Sequence, residues 1–350
     1  MLGLDSIKLV TSLDCINSIN DNVFQSDVSN LSGEVIKHKK VLNSQRLKEF
    51  GFEMLGLKNI SVDYLKGELL MEVSAKALKH KYPEQINLNT VEQEFNNIKG
   101  YNVIDFNTPV LIDNANVLTC DCTNDLKLTR DVSKVIKDLE VFRFNQKYDC
   151  TTYPDKKNSY EESIVFDKNV KSKASKERLT IYSKYIDVTR DNKSNRELLK
   201  YVDPEVFTNK ARFESRHTSF EQMRKHFNII DLSLVNVLNS QEQVNAKIFD
   251  KITNIENINF ENLQNYKRFF IMSQEMQMSN LVKLAGELAI VIACNYNVDL
   301  INSIIKNSKT TNKTYARKRF ESIMKNIDIA GRELEIDKSI NEIKSLLRAA

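Results

Sequence analysis

Alternation of apolar and polar positions is clearest in two short stretches. In Arg178-Leu-Thr-Ile-Tyr182-Ser-Lys184-Tyr185, a strand would set Leu179, Ile181, Ser183 and Tyr185 on one face and Thr180, Tyr182 and Lys184 on the other, because successive strand side chains point to opposite faces. In Ala211-Arg212-Phe213-Glu214-Ser-Arg216, Ala211 and Phe213 oppose Arg212, Glu214 and Arg216. The same period predicts strands over Ile7-Lys-Leu-Val, Glu68-Leu-Leu-Met-Glu-Val73, Val117 to Thr123 and Glu162-Ser-Ile-Val-Phe166. In Val117 to Thr123 the apolar face carries Leu118, Cys120 and Cys122 and the polar face carries Thr119, Asp121 and Thr123. Glu162 to Phe166 and the tyrosine strand read as a hairpin with a long loop.

Helical spacing appears between and after these strands. Val91 to Ile98 follows a Thr90/Gln93 capping pattern and stops at Gly100, and Val132, Val135, Ile136 and Leu139 line one helical stripe. Beyond about Thr218 the alternation ends, and helices are predicted over Phe220 to Phe227, Gln241 to Ile252, Phe260 to Ala293, Thr314 to Ile327 and Ile336 to Arg348. The expected architecture is α+β: an antiparallel sheet with helices over residues 1–230, then an all-helical region over 231–350.

Composition narrows this reading without changing it. A chain of 350 residues with 41% hydrophobic and 28% charged positions can bury a full core, and only 8 Gly and 4 Pro disfavour a turn-dense all-β fold. The net charge of +4 is mild, so any affinity for a polyanion must come from local clusters. One such cluster, Lys171-Ser-Lys173-Ala-Ser-Lys176-Glu-Arg178, directly precedes the tyrosine strand. The five scattered cysteines suit a reducing compartment and no disulfide framework. Met1-Leu-Gly-Leu-Asp5 lacks the features of a signal peptide, and the apolar run Leu284 to Cys294 is too short to span a bilayer. Cytoplasmic residence with no membrane partner is expected.

The polar strand faces carry the candidate chemistry. If the strands are neighbours, the carboxylates of Asp121 and Glu214 can hold a hard cation, Mg²⁺ or Mn²⁺, beside Tyr182. The cation would polarise a phosphodiester for attack by the tyrosine, which at a pKa of about 10 needs activation, with Lys184 as a second source of it. Arg212 and Arg216 flank Glu214 as phosphate-binding candidates. The same positions also read as the solvated faces of half-buried strands. His217 and His226 have helical spacing, and a surface or packing role is expected for them.

The order of these segments resembles the replication initiators of filamentous phages, the gene II and gene X type. The likeness rests on Asp121 in its strand, Glu162-Ser-Ile-Val-Phe, Leu-Thr-Ile-Tyr182-Ser-Lys184 and Ala-Arg212-Phe213-Glu214-Ser-Arg216, with Glu72-Val-Ser-Ala-Lys76-Ala-Leu and Phe227-Asn-Ile outside them. It spans roughly residues 65–230, and the Tyr-x-Lys and Arg-Phe-Glu pair is also similar to plasmid rolling-circle initiators. The family commonly has Arg two residues before the strand Asp, where this chain has Thr119. The resemblance implies a metal-dependent origin endonuclease and strand transferase. Tyr182 would be its nucleophile and Lys184 its aide, Asp121 and Glu214 its metal ligands, and Lys171, Lys173, Lys176, Arg178, Arg212 and Arg216 its DNA contacts. Such a protein would nick one strand, leave a 3′ hydroxyl and later rejoin the circle. Its partners would be double-stranded origin DNA, displaced single strands, and the helicase and polymerase of a bacterial host. The alternative is a noncatalytic phage or plasmid DNA-binding regulator that uses the same residues only to grip phosphates and stack on bases.

Overall fold

A computed structural model describes residues 2–31, 34–43, 54–140, 142, 145–154, 161–170, 177–254, 298–307 and 313–349. Contacts divide the chain into one unit of Met1–Ile255 with Glu342–Ala350, and another of Glu256–Asn341. In the second unit the described residues form the Val298–Asn307 helix and the larger part of the Lys313–Ala349 helix.

The first unit is α+β, built on a ten-stranded sheet in which every pairing is antiparallel. Its strands are β1 (Leu2–Ser12), β3 (Gln25–Leu31), β4 (Glu34–Asn43), β5 (Leu57–Asp63), β6 (Glu68–Ser74), β8 (Asn116–Lys127), β9 (Tyr148–Pro154), β10 (Glu161–Lys168), β11 (Arg178–Ser183) and β12 (Lys210–His217). They lie in the order β3-β4-β5-β6-β1-β8-β12-β11-β10-β9, and β2 (Ile16–Ile19) pairs separately with β7 (Ile104–Phe106). The middle of the sheet is therefore β1, β8 and β12, which bring the first strand of the sequence beside strands from far along it.

One face of these strands is apolar and packs under helices. Cys120, Cys122, Phe213, Leu179 and Ile181 are buried on it. The Phe249 ring from the Val244–Ile252 helix meets Phe213 edge-on at 5.7 Å. Full burial of one such ring is worth about 1.5–3 kcal/mol. Asn245 ties the same helix to the sheet by donating to the carbonyls of Cys122 and Phe213 and to the Asn124 side chain. The Val132–Leu139 helix buries Val132, Val135, Ile136 and Leu139, as its periodicity predicts, and contacts β10 and β11.

Several expectations are corrected. The tyrosine strand ends at Ser183, whose hydroxyl accepts from the Ile186 N–H and starts the Lys184–Thr189 helix, so Tyr185 is half-exposed rather than in the core. Thr90 does not cap through its side chain; its hydroxyl donates to the Gln85 carbonyl instead. A register shift between the Lys8–Thr119 and Leu9–Val117 pairs puts Val117, not Leu118, in the core. His217 ends β12, and only His226 is helical, so helical spacing did not describe the pair. Thr314 to Ile327 and Ile336 to Arg348 belong to a single helix, Lys313–Ala349. The helix predicted over Phe260 to Ala293, the Leu284 to Cys294 run and Lys171, Lys173 and Lys176 lie outside the described residues.

Candidate active site

The opposite face of the central strands gathers the charged residues. Strand register sets Asp121 opposite Arg216, Thr123 opposite Glu214 and Asp125 opposite Arg212, while Arg212 also pairs with Tyr182 across β11. A period of two then brings Asp121, Asp125, Arg212, Glu214 and Tyr182 to one side of the sheet. Asp5 joins them from β1, where the register slips between the Leu4–Cys122 and Ser6–Asp121 pairs. That bulge lets Leu4 and Ile7 both reach the core while Asp5 turns to the polar face.

Asp5, Asp121, Glu214 and Tyr182 line one cavity of about 550 Å³. Its other walls come from the Met54–Lys58 stretch, from Lys76 and Tyr82 on the 3-10 segment Ala75–Glu84, and from the Lys184–Thr189 and Lys193–Leu198 helices. Gly56 (φ +84°) permits the close approach at the mouth: its carbonyl accepts from the Ser74 N–H at 2.7 Å, and a Cβ there would lie 2.3 Å from the Ala77 nitrogen.

Inside, the Tyr182 hydroxyl donates to Glu214 Oε2 at 2.9 Å. Burial, and next the charge of Glu214, hold the Tyr182 pKa well above that of a free phenol. Glu214 is itself pushed up to about 7, by burial first and then by repulsion from Asp5 and Asp121. Asp121, raised by burial, accepts from the Ser6 hydroxyl at 2.6 Å. Asp5 is lowered despite its burial, because Arg212 and Lys184 stand near it. The three carboxylates repel one another across a shielded space, and that repulsion is relieved by protonation or by a cation.

The basic candidates separate into distinct environments. Arg212 is fully buried, chelates Asp125 through Nε and Nη2 at 2.6 and 2.7 Å, and donates through Nη1 to Asp5. It orients carboxylates and is shut off from any phosphate in solution, which corrects its assignment as a DNA contact. Lys184 is also buried, pairs with Asp187 at 2.7 Å, and has Nζ 5.2 Å from the Tyr82 ring centre and 5.7 Å from that of Tyr182. Arg216 is exposed, with Nε 3.8 Å from Asp121 Oδ1. Arg178 is exposed and grips Asp167 with two hydrogen bonds of 2.7 and 2.8 Å.

Sequence reasoning missed Asp5, Lys76 and Tyr82 as members of this site. The signal for Asp5 was available in the broken alternation Leu4-Asp-Ser-Ile7, where two core residues stand three apart. Tyr82 and Lys76 come from an irregular segment with Lys79 at φ 56°, ψ −115°, which no simple period marks.

Among the described residues, no three His, Cys, Asp or Glu side chains are close enough to cage a metal by themselves, and no helix is long and apolar enough to cross a membrane. No protein-family model matches the chain, and no curated protein matches it by sequence. Among solved structures the chain is similar to the rolling circle replication initiator protein from Geobacillus stearothermophilus, at 12% identity and a TM-score of 0.30, over 63% of this chain and 76% of that one. A likeness of that degree leaves the weight of any functional reading on the side chains themselves.

Proposed function

We propose that the chain is a metal-dependent DNA nicking and joining enzyme that initiates rolling-circle replication, with Tyr182 as its nucleophile. The observation that carries this reading is the Tyr182 hydroxyl, 2.9 Å from Glu214 and sharing one cavity with Asp5 and Asp121. The all-oxygen donor set fits Mg²⁺ or Mn²⁺, which are held by one or two carboxylates with water and substrate phosphate completing the shell, so a preformed three-residue cage is not required. Asp121 and Glu214 would hold the ion, with Asp5 beside them. The bound cation supplies Lewis-acid polarisation of a phosphoryl oxygen.

The chain's own groups do the rest. Glu214 Oε2 accepts the phenolic proton as Tyr182 attacks phosphorus, and Lys184, fixed by Asp187, keeps positive charge beside both tyrosine rings. Arg212 anchors Asp5 and Asp125, so the carboxylate array is set before DNA arrives. A phosphotyrosine intermediate conserves the bond for rejoining, which attack by water would not.

The test works without a defined origin. A random-sequence single-stranded DNA pool labelled at its 3′ end is incubated with the protein and Mg²⁺ or Mn²⁺, then run on a denaturing gel. A labelled protein band that disappears in Tyr182→Phe and in EDTA is expected. DNA retention without any covalent band, in the pool and on supercoiled circles alike, would replace this reading with the noncatalytic regulator.

A further inference from the structure

β12 carries Glu214 into the cavity wall, continues through Arg216 and ends at His217; Thr218 and Ser219 then turn the chain into the Phe220–Phe227 helix. The inner face of that helix is committed to the core, where Gln222, Met223, His226 and Phe227 are buried. Its outer face is built differently. Phe220 is 49% exposed, and the exposed Arg224 follows four residues on, so ring and guanidinium share the solvent side of the helix with their Cβ atoms about 5–6 Å apart.

The helix ends at Asn228, whose left-handed backbone (φ 57°) turns the chain back. That turn brings Ile230 to the same place. Its carbonyl accepts from Arg224 Nε at 2.9 Å, which fixes the guanidinium, while its side chain is left 87% exposed, the most of any large apolar residue described. One exposed apolar side chain is ordinary. An aromatic ring, a planar cation held by a hydrogen bond and an aliphatic wall, gathered beside one another, make a surface.

Charge and position indicate what that surface faces. Arg216, Arg224 and Lys225 are exposed, and among the described residues neither Arg224 nor Lys225 has a carboxylate partner. Against them stand Glu221, exposed on the same helix, and Asp231, which accepts from the Ser233 N–H at 3.2 Å and the Asn236 amide at 2.9 Å. Arg216 joins the patch to the cavity, with Nε 3.8 Å from Asp121 Oδ1. Phe220 follows Glu214 closely enough along the chain that their Cα atoms lie at most about 22 Å apart, the length of about six stacked nucleotides at 3.4 Å each. An unpaired nucleobase offers a π face to the ring and the guanidinium, and it hangs from a phosphate that suits the cations. A duplex keeps its base faces stacked on one another, and an acidic peptide without rings has none to offer.

We propose that Phe220, Arg224 and Ile230 form a stacking platform for one unpaired base of the strand that the cavity cuts, within about six nucleotides of the scissile phosphate. The platform rests on the nicking reading above and deepens it. Arg216 and Lys225 hold the backbone, the ring takes the base, and fixing that base sets the register in which the strand enters the cavity.

The chain has no tryptophan, so Phe220→Trp installs a single fluorescent reporter on the platform. The full-length variant, in EDTA, should lose emission when random-sequence single-stranded DNA is added, and should bind labelled single strands within a fewfold of wild type. Phe220→Leu keeps apolar bulk without a π face; it should bind single strands about 5–100-fold more weakly, the span of one base–aromatic stack, while binding blunt duplex as wild type does. On the sequence that wild type cuts, read from the captured pool, an abasic nucleotide is then placed at each position in turn. One position should cost wild type that same factor and cost Phe220→Leu nothing more. Full affinity in Phe220→Leu or unchanged emission in Phe220→Trp overturns the platform and leaves the patch to a protein partner, and an abasic scan with no position coupled to Phe220 overturns it too. Emission and affinity need no cleavage. If they behave as expected while wild type captures nothing, the tyrosine reading falls and the platform stands as part of a noncatalytic DNA-binding protein; if capture occurs and they fail, only the platform falls.

Discussion

The two faces of β12 hold two charged clusters that obey opposite rules. On one face, Glu214 stands with Asp5 and Asp121, and mutual repulsion pushes it up to about 7. On the other, the single carboxylate of Glu177 receives donors from every side: the Tyr148 hydroxyl, His226 at 2.7 Å and Lys251 at 3.0 Å. Burial would raise Glu177, yet the hydrogen bonds of His226 and Tyr148 and the charge of Lys251 hold it well below the usual carboxylate range. Behind His226 come His217, at 3.2 Å, and then the Ser215 hydroxyl, at 3.0 Å from the His217 ring. One cluster is satisfied and sits in the core; in the other, three carboxylates crowd one another and open onto a cavity. A saturated network rigidifies, whereas an unsaturated one is available to a ligand.

The largest effect that would sharpen this contrast comes from Tyr182→Phe. Covalent capture of DNA should vanish while folding, followed by urea denaturation, changes by only about 0.5–1.5 kcal/mol for the lost hydrogen bond. Tyr185→Phe should keep its activity, since that hydroxyl lies 3.4 Å from Glu205 in an exposed position. Capture surviving in Tyr182→Phe but lost in Tyr185→Phe would reverse the assignment.

On the satisfied side, Glu177→Gln removes the charge that holds His226 and Lys251. Losing hydrogen bonds to a buried charged carboxylate costs about 1.5–3 kcal/mol, which urea titration would resolve. A loss below about 1 kcal/mol would show that the cluster is not the structural clamp described.

The two clusters also respond oppositely to pH. His217, pulled down to about 3 by burial and by His226, stays neutral when folded and binds a proton only when unfolded. Stability should therefore fall at up to about 1.4 kcal/mol per pH unit as pH drops from about 6.5 toward 3. Glu177, lowered in the fold, adds to that loss as pH falls below the ordinary carboxylate pKa. Glu214 acts in reverse: raised to about 7, it favours the fold when protonated and weakens it as pH rises from about 4.5 to 7. In EDTA, Glu214→Gln should thus raise neutral-pH stability by roughly 3 kcal/mol, and wild type should gain stability from added Mg²⁺ where the variant does not. Equal Mg²⁺ responses in the two would count against a cation site at Glu214.

The smallest effect concerns the basic cluster before β11. Replacing Lys171, Lys173 and Lys176 by Ser should lower the salt dependence of DNA binding by a slope of about one for each phosphate no longer neutralised, alike for all sequences. An unchanged slope would show that those lysines do not contact phosphate.

Period-two alternation was enough to place Tyr182, Glu214 and Asp121 on one side of a sheet, because antiparallel pairing converts sequence parity directly into a face. Parity fails where the backbone departs from the ladder. The bulge at Asp5 shifted it by one, and the predicted strand began only at Ile7, so Asp5 lay outside it. Ser183 ended the strand by capping a helix, so Lys184 and Tyr185 left the faces that alternation gave them. The two helices predicted over Thr314 to Ile327 and Ile336 to Arg348 are one, and the helix runs through Gly331 at a local cost of about 1 kcal/mol. The buried Arg212 was invisible for another reason: its partners Asp5 and Asp125 become neighbours only in three dimensions.

The ion pair between Arg212 and Asp5 has a consequence for the chain's birth. It joins residues 207 positions apart, and β1 waits at the centre of the sheet for β8 and then β12. At about 5–20 residues per second, a ribosome needs on the order of 10–40 s to pass from one partner to the other. Until β12 emerges, β8 lacks its partner on the side away from β1 and the cavity is unassembled. Assembly of the cavity is thereby tied to completed synthesis through residue 217, and a shorter nascent product has no β12 with which to close it.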